Sequence, residues 1–362
     1  MDFIFAVQGE GRGHLTQAIT VHDMLTKHGH KVVKIIVGVN MNRKLPDFFV
    51  ERFSHLIVEI PTLSFAVVKD KNISTIRTGV KFFASIRSFR RSAKELADKL
   101  DALEYDMLLN FYEPVSGWAH KLSNKCKGRP IISFGHQFMV EHPKFIRSRK
   151  YIVQQRILRI LNRYVSSNGH KIALSFYEAE PVEKKRLHVC PPLLRDTVKS
   201  SQTATQENFL LVYLLNTGYA KVLEAWHQNN PHVKIHCFVQ DPPESQHPNL
   251  VYHELNGEKF IAMMRRCKAV LCTAGFESVC EAAYLGKPVY MVPVEKHGEQ
   301  YLNALDARKA GIAKRGSFSN LGRLLNKNFW PTTESFRIWC ESSEEMILEV
   351  INEVWQQNQP PA

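Results

Sequence analysis

The chain has 362 residues, 44% hydrophobic and 23% charged, a balance that buries a core and excludes disordered, collagen-like and coiled-coil classes. Its length exceeds what one hydrophobic core usually serves, so two domains are expected; no apolar run nears the ~18–20 residues of a membrane span. The net charge of +13 is lopsided: residues 1–195 hold 32 Lys and Arg against 17 Asp and Glu, and residues 196–362 hold 16 against 18. The excess points to an anionic partner for the first half alone.

In chain order, Asp2 to Val7 is an apolar run stopped by glycines, the pattern of a buried parallel strand. Thr16 to His28 reads as a helix ended by Gly29, and Lys31 to Val39 as a second strand. Leu56 to Ile60, Met107 to Asn110 and Pro130 to Phe134 are further strands between helical segments, and Arg186 to Cys190 is the last alternation of this half. Pro191-Pro192 and the polar stretch Lys199 to Asn208 place a linker at 191–207. The pattern then restarts: strands at Phe209–Leu215, Val233–Val239, Leu250–His253, Ala269–Thr273 and Val289–Val292, a helix at Ala220–His227, and a closing helix at Glu334–Gln357. Alternating β and α implies doubly wound parallel sheets, one in domain 1–190 and one in domain 208–333, with 334–362 as a terminal helix.

Two basic stretches sit in the first half. Lys71 to Lys99 mixes Arg77, Lys81, Arg87, Arg90, Arg91 and Lys94 with Phe82, Phe83 and Phe89. Phe145 to Tyr164 sets Arg156, Arg159 and Arg163 among Ile152, Val153, Ile157 and Ile160. Two readings stay open: helices lying on an anionic membrane surface, or helices packed on their own core with a solvated basic face. The seven cysteines are odd in number and form no Cys-x-x-Cys pair, and the opening stretch has no basic leader, so a reduced, cytoplasmic chain is expected.

The turn after the first strand reads Gln8-Gly9-Glu10-Gly11-Arg12-Gly13-His14. Its glycines allow close backbone approach, and the helix start that follows favours an anion. It is not a dinucleotide fingerprint, because the third glycine position falls on His14 or Thr16 and strand two ends in Asn40 without a carboxylate. Residues 271–304 carry the stronger signal: strand, turn at Ala274-Gly275, helix, Gly286, strand ending at Pro293, then Glu299-Gln300 opening another helix. The amino end of that first helix suits a diphosphate, and Glu281 suits two hydroxyls of a ribose.

This segment resembles the donor-site signature of GT-B nucleotide-sugar glycosyltransferases, nearest the lipid-linked N-acetylglucosaminyltransferase and diacylglycerol glycosyltransferase group. Gly275, Ser278, Glu281, Gly286, Pro288, Pro293, Gln300, Asn303 and Ala304 fall in register with it, and Gly11, Gly13 and His14 match its opening turn. The resemblance implies a two-domain GT-B fold with the terminal helix crossing back. It also implies hexose transfer from a nucleotide sugar, UDP-linked in first place, to a hydroxyl of a lipid-linked or glycan acceptor, with inversion. Donor contacts are then expected from Thr217, Gly218, Gly275, Phe276, Glu277, Ser278, Glu281, Glu299 and Gln300, with the acceptor or phosphate loop at Gly11, Arg12 and Gly13. His14 is the first candidate for general base, with Glu113 and His136 as catalytic partners. Phe276 departs from the group, which has small or hydroxyl residues there, and is expected to shape the sugar site. No Asp-x-Asp occurs, so no metal is expected, no cofactor is needed and no nucleic acid is expected. A nucleotide-sugar epimerase of the same fold and a non-enzymatic anionic-surface binder are the alternatives.

Overall fold

The computed structural model describes residues 1–40, 44–62, 75–124, 128–200, 205–215, 217–317 and 333–359, with backbone alone over 75–87 and at 333. Its strands form two wholly parallel sheets. The first contains β1 (Asp2–Gln8), β2 (Lys31–Val39), β3 (Ile57–Pro61), β4 (Met107–Phe111), β5 (Ile131–Phe134), β6 (His170–Leu174) and β7 (Leu187–Cys190), in the order β3-β2-β1-β4-β5-β6-β7. Its helices are α1 (Arg12–Lys27), α2 (Asp47–Phe53), α3 (Thr75–Asp101), α4 (Pro114–Leu122) and α5 (Ile152–Ser166), and α6 (Asp196–Lys199) follows on the crossing.

The second sheet contains β8 (Leu210–Leu214), β9 (Ile235–Val239), β10 (Leu250–His253), β11 (Ala269–Cys272), β12 (Val289–Met291) and β13 (Lys314–Arg315), ordered β10-β9-β8-β11-β12-β13. Its helices are α7 (Ala220–Gln228), α8 (Gly257–Arg266), α9 (Glu277–Tyr284) and α10 (Gly298–Lys309). Each sheet reverses its winding once, at β1/β4 and at β8/β11, where ligands of such sheets bind beyond the strands' carboxyl ends.

The apolar runs are continuous because both faces of a strand are covered. Phe3, Phe5 and Val7 of β1 join one core with Leu15, Ala18, Val21 and Leu25 of α1. Ile4 and Ala6 point the other way, into a core with Ala93, Leu96 and Leu100 of α3 and Val115 and Ala119 of α4.

Four local expectations are corrected. Helix α1 begins at Arg12 rather than Thr16, so Gly13 is helical despite its poor propensity; packing against the second domain overrides it. Strands β6 and β13 were not expected: β6 opens on two polar residues, His170 and Lys171, and β13 is two residues long. The short helix α6 was not expected within the 191–207 stretch. The closing helix is two helices, α11 (Thr333–Glu341) and α12 (Ser343–Gln357), parted at Ser342, whose hydroxyl donates to the Trp339 carbonyl at 2.9 Å instead of leaving the helical ladder intact.

These helices link the domains. Helix α11 packs on α9, and α12 on β7. The Trp339 indole donates to the Ser175 carbonyl, and Glu344 accepts from Lys27 at 2.8 Å. No described helix is long and apolar enough to cross a membrane.

One close contact yields a test. A Cβ at Gly117 of α4 would lie 2.2 Å from the Val165 carbonyl oxygen and 2.3 Å from that of Tyr164, both backbone of α5. Gly117→Ala is expected to destabilise the protein by at least ~1–3 kcal/mol, read as a fall in denaturant midpoint; an unchanged midpoint would contradict this packing.

Candidate active site

The two domains meet where the start of α1 and the residues after β5 contact the residues after β10 and the starts of α9 and α10: Arg12 reaches Leu255, Gln17 reaches Glu277 and Gln137 reaches Glu299. On the first side, Gly9 turns the chain sharply: its N–H donates to Gly38 at 2.9 Å, and a Cβ there would sit 2.8 Å from the same oxygen. Gly11 then caps α1 in an extended conformation with no side-chain cap, which leaves the first N–H groups of α1 for another acceptor. Arg12 reaches over the cleft and donates to the Leu255 carbonyl at 3.2 Å. His14 stacks on Tyr112 at 5.7 Å, and its Nδ1 lies 3.3 Å from Gln17 Oε1. Burial lowers the imidazole's pKa, which favours the neutral ring. Tyr112 follows β4 with φ of +60°, a left-handed backbone that is costly for a bulky residue. Its hydroxyl donates to Asn162 at 2.7 Å, which fixes the ring under His14.

On the second side, α9 points its amino end into the cleft, with Gly275, Phe276, Glu277 and Ser278 around it. A Cβ at Gly275 would meet nothing closer than 3.9 Å, so the protein's own packing does not demand glycine there. Glu281 is 4% exposed, and its Oε1 accepts from Arg195 Nε at 2.6 Å. Arg195 lies on the interdomain crossing; its guanidinium also abuts Gly257 at the head of α8. Arg12 and Arg195 are close enough to depress the Arg12 pKa, after burial, by mutual repulsion. Their proximity makes an anion-attracting spot beside Glu281 and the α9 start.

The remaining candidates lie on neighbouring segments. Glu299, in the first turn of α10, accepts from Gln137 of the first domain at 3.1 Å. Gln300 is buried and accepts from the Val294 N–H at 2.9 Å. Thr217 and Gly218 form a single turn between β8 and α7, half-buried at the switch point. Asn216 lies outside the described residues. Gly13 packs directly on Glu277, whose carboxyl is pushed up to about 8 by burial. Among the described residues no three His, Cys, Asp or Glu side chains converge as metal ligands.

Three expected residues are held by partners within the protein. Glu113 is fully buried and caps α4, accepting from the Ser116 N–H and, at 2.6 Å, from the Thr62 hydroxyl. His136 donates from Nδ1 to the Leu174 carbonyl at 2.7 Å and is held near neutral form by burial, which lowers its pKa to about 4. Phe276 stacks on His136 at 4.3 Å and meets Phe176 in a tilted pair at 4.7 Å, an apolar plug from the second domain into the first. Beside it, Asp306 accepts from the Tyr177 hydroxyl at 3.0 Å, and burial raises its carboxyl to about 7. The sequence reading missed Gln17, Tyr112, Arg195 and Asp306. Only Gln17 left a signal, one helical turn from His14.

Removing the plug tests the interface. Phe276→Ala is expected to cost ~3–5 kcal/mol and to widen the solution ensemble, read together as a lower unfolding midpoint and a larger radius of gyration; unchanged scattering would contradict the plug.

The family described as glycosyl transferase family 1 matches residues 1–324. No curated protein matches the chain. Among solved structures, Arabidopsis thaliana UGT89C1 complexed with UDP is similar at 16% identity and a TM-score of 0.63, over 99% of each chain. Phytolacca americana UGT2, complexed with UDP-2fluoro-glucose and pterostilbene, is similar at 12% identity and 0.63, over 98% of this chain and 100% of that one. Acinetobacter baumannii MurG is similar at 16% and 0.56, over 97% and 99%. These likenesses carry the two-sheet fold, and with the family match they identify the chain as a GT-B glycosyltransferase belonging to glycosyl transferase family 1.

Proposed function

We propose that the chain moves a hexose from a UDP-sugar to a hydroxyl of a lipid-linked or glycan acceptor, by one inverting displacement at C1 that uses neither metal nor cofactor. The observation that carries this reading is the start of α1, where His14 stacks on Tyr112 and the Arg12 side chain reaches the second domain, lying near Arg195, which is bonded to Glu281 of α9. UDP is favoured because structures of similar fold hold UDP, UDP-L-rhamnose and UDP-2fluoro-glucose.

In this reading the diphosphate lies on the α9 amino end between the two guanidiniums, which take up its charge as the sugar bond breaks. Glu281 releases part of its bond to Arg195 and accepts from the ribose hydroxyls. Gly275, whose missing side chain the protein itself does not require, lets the diphosphate pass close to the backbone. His14 Nε2 takes the acceptor proton, and the acceptor oxygen attacks C1 from the face opposite the leaving UDP.

The acceptor side follows from charge and shape. Helix α5 exposes Ile152, Val153, Ile157 and Ile160 to 45–56%, beside exposed Arg156, Arg159 and Arg163. A groove of about 1020 Å³ runs along it, lined by Arg147, Arg149, Arg159, Arg163, Lys184 and Lys185, with Glu141 as its one carboxylate. Glu141 is already paired with Lys171 at 2.8 Å. An apolar ridge beside uncompensated cations suits an anionic bilayer surface, which supports a lipid-linked acceptor met at the membrane. The Arg77, Lys81 and Arg87 side chains of the other basic stretch lie outside the described residues; Arg90, Arg91 and Lys94 do not, and all three are exposed.

Three experiments test this. UDP is expected to raise the unfolding temperature where GDP and CMP do not, and His14→Ala is expected to lower kcat ~10²–10⁴-fold with UDP still bound. No UDP-dependent shift, or full activity without His14, would contradict the reading. The wild type is expected to sediment with anionic vesicles and not with neutral ones, and Arg156→Glu with Arg159→Glu and Arg163→Glu to abolish this; equal recovery on both vesicles would contradict the membrane face.

A further inference from the structure

The base candidate has an unusual support. Among the described residues, no carboxylate is hydrogen-bonded to His14; its Nδ1 faces the side-chain oxygen of Gln17 at 3.3 Å. Gln17 is only 2% exposed. The other end of its amide, Nε2, donates to Glu277 Oε1, which belongs to α9 of the second domain. Gly13 makes room for this: a Cβ there would stand 3.0 Å from Glu277 Cγ. Imidazole, amide and carboxylate thus form a chain across the domain interface.

An amide has a donor end and an acceptor end, whereas a carboxylate only accepts. Ionised Glu277 therefore selects the NH₂ end of Gln17 and turns the carbonyl end towards His14. An oxygen there requires hydrogen on Nδ1, and the lone pair is left on Nε2, the atom free to act as base. Without a pure acceptor at 277, the amide can rotate, present NH₂ to His14 and put the hydrogen on Nε2.

We propose that Glu277, acting through Gln17, is a positioning residue that sets the tautomer of His14, so that the base is armed only when the donor domain is seated. This rests on the reading of His14 as base and names how the same site is regulated.

The surroundings give the relay a pH dependence. Glu277 is faced by Gln17 from α1, Arg195 from the crossing, and Glu281 and Cys280 on its own helix. His14 is faced by Glu299 of α10 and by Tyr112 after β4. Burial and Glu281 resist ionisation of Glu277, and Gln17 and Arg195 favour it, which leaves the carboxyl titrating near 8. The armed fraction therefore rises with pH through that region.

The test is nitrogen NMR of the full chain with ¹⁵N-labelled histidine, His14→Gln identifying the His14 signals. The wild type above pH 8 is expected to show hydrogen on Nδ1, and Glu277→Gln and Gln17→Met to move it to Nε2 in whole or in part. The double change Gln17→Glu with Glu277→Gln exchanges amide and carboxylate and is expected to restore the Nδ1 hydrogen. With a UDP-sugar, Glu277→Gln is expected to lose the rising limb near pH 8 and ~10-fold or more in kcat with donor KM little changed, and the double change to recover kcat. A wild-type His14 with hydrogen on Nε2, or a tautomer indifferent to both single changes, would overturn the relay. The tautomer is read without turnover, so a relay that holds while no UDP-sugar reacts would instead overturn the functional reading.

Discussion

The structure depends on how closely the start of α9 approaches the start of α1. Gly13 has no side chain, so Glu277 can sit against the α1 backbone, and Phe276 beside it buries its ring on His136 and Phe176. This contact brings the two switch points face to face, and nearly every other feature of the cleft is a consequence of it. In that seating Arg12 reaches Leu255 and Gln137 reaches Glu299. The aromatic plug supplies apolar area, and the polar pairs supply register, since each is satisfied at one relative position of the domains.

Charge divides along the same line. The basic first half carries exposed cations on α5 and the groove beside it, and the second half is nearly neutral. At the cleft the cations are few and closely placed. Arg195 is tied to Glu281, and Arg12 has a carbonyl rather than a carboxylate as partner. A diphosphate entering there meets charge not fully compensated by the protein, the condition under which an anion binds in place of an internal ion pair.

The fold was largely legible because parallel strands buried on both faces leave unbroken apolar runs. Lys31–Val39 and Leu250–His253 were read with their observed bounds, and Gly29 and Gly286, at φ of +74° and +72°, end helices as their position implied. Strand β6 escaped because His170 and Lys171 break the run, and the split at Ser342 because a single hydroxyl bond decides it. Within the cleft, the two glycine turns were legible from local spacing. The meaning of Phe276, Glu113 and His136 was not. Glu113 and Thr62 are 51 residues apart, and Gln17 and Glu277 are 260 apart; no periodicity records which distant residues will meet. Glu113 and His136, picked out by their place at strand ends, also cap α4 and stack on Phe276 of the other domain, contacts that their local sequence does not record.

The account's central claim is the seat of the nucleotide, and a crystal structure of the chain with UDP bound tests it most directly. The diphosphate is predicted between Arg12 and Arg195 on the first N–H groups of α9, with the ribose hydroxyls on Glu281. Nucleotide density away from the α9 start, with Glu281 still bonded to Arg195 alone, would contradict it.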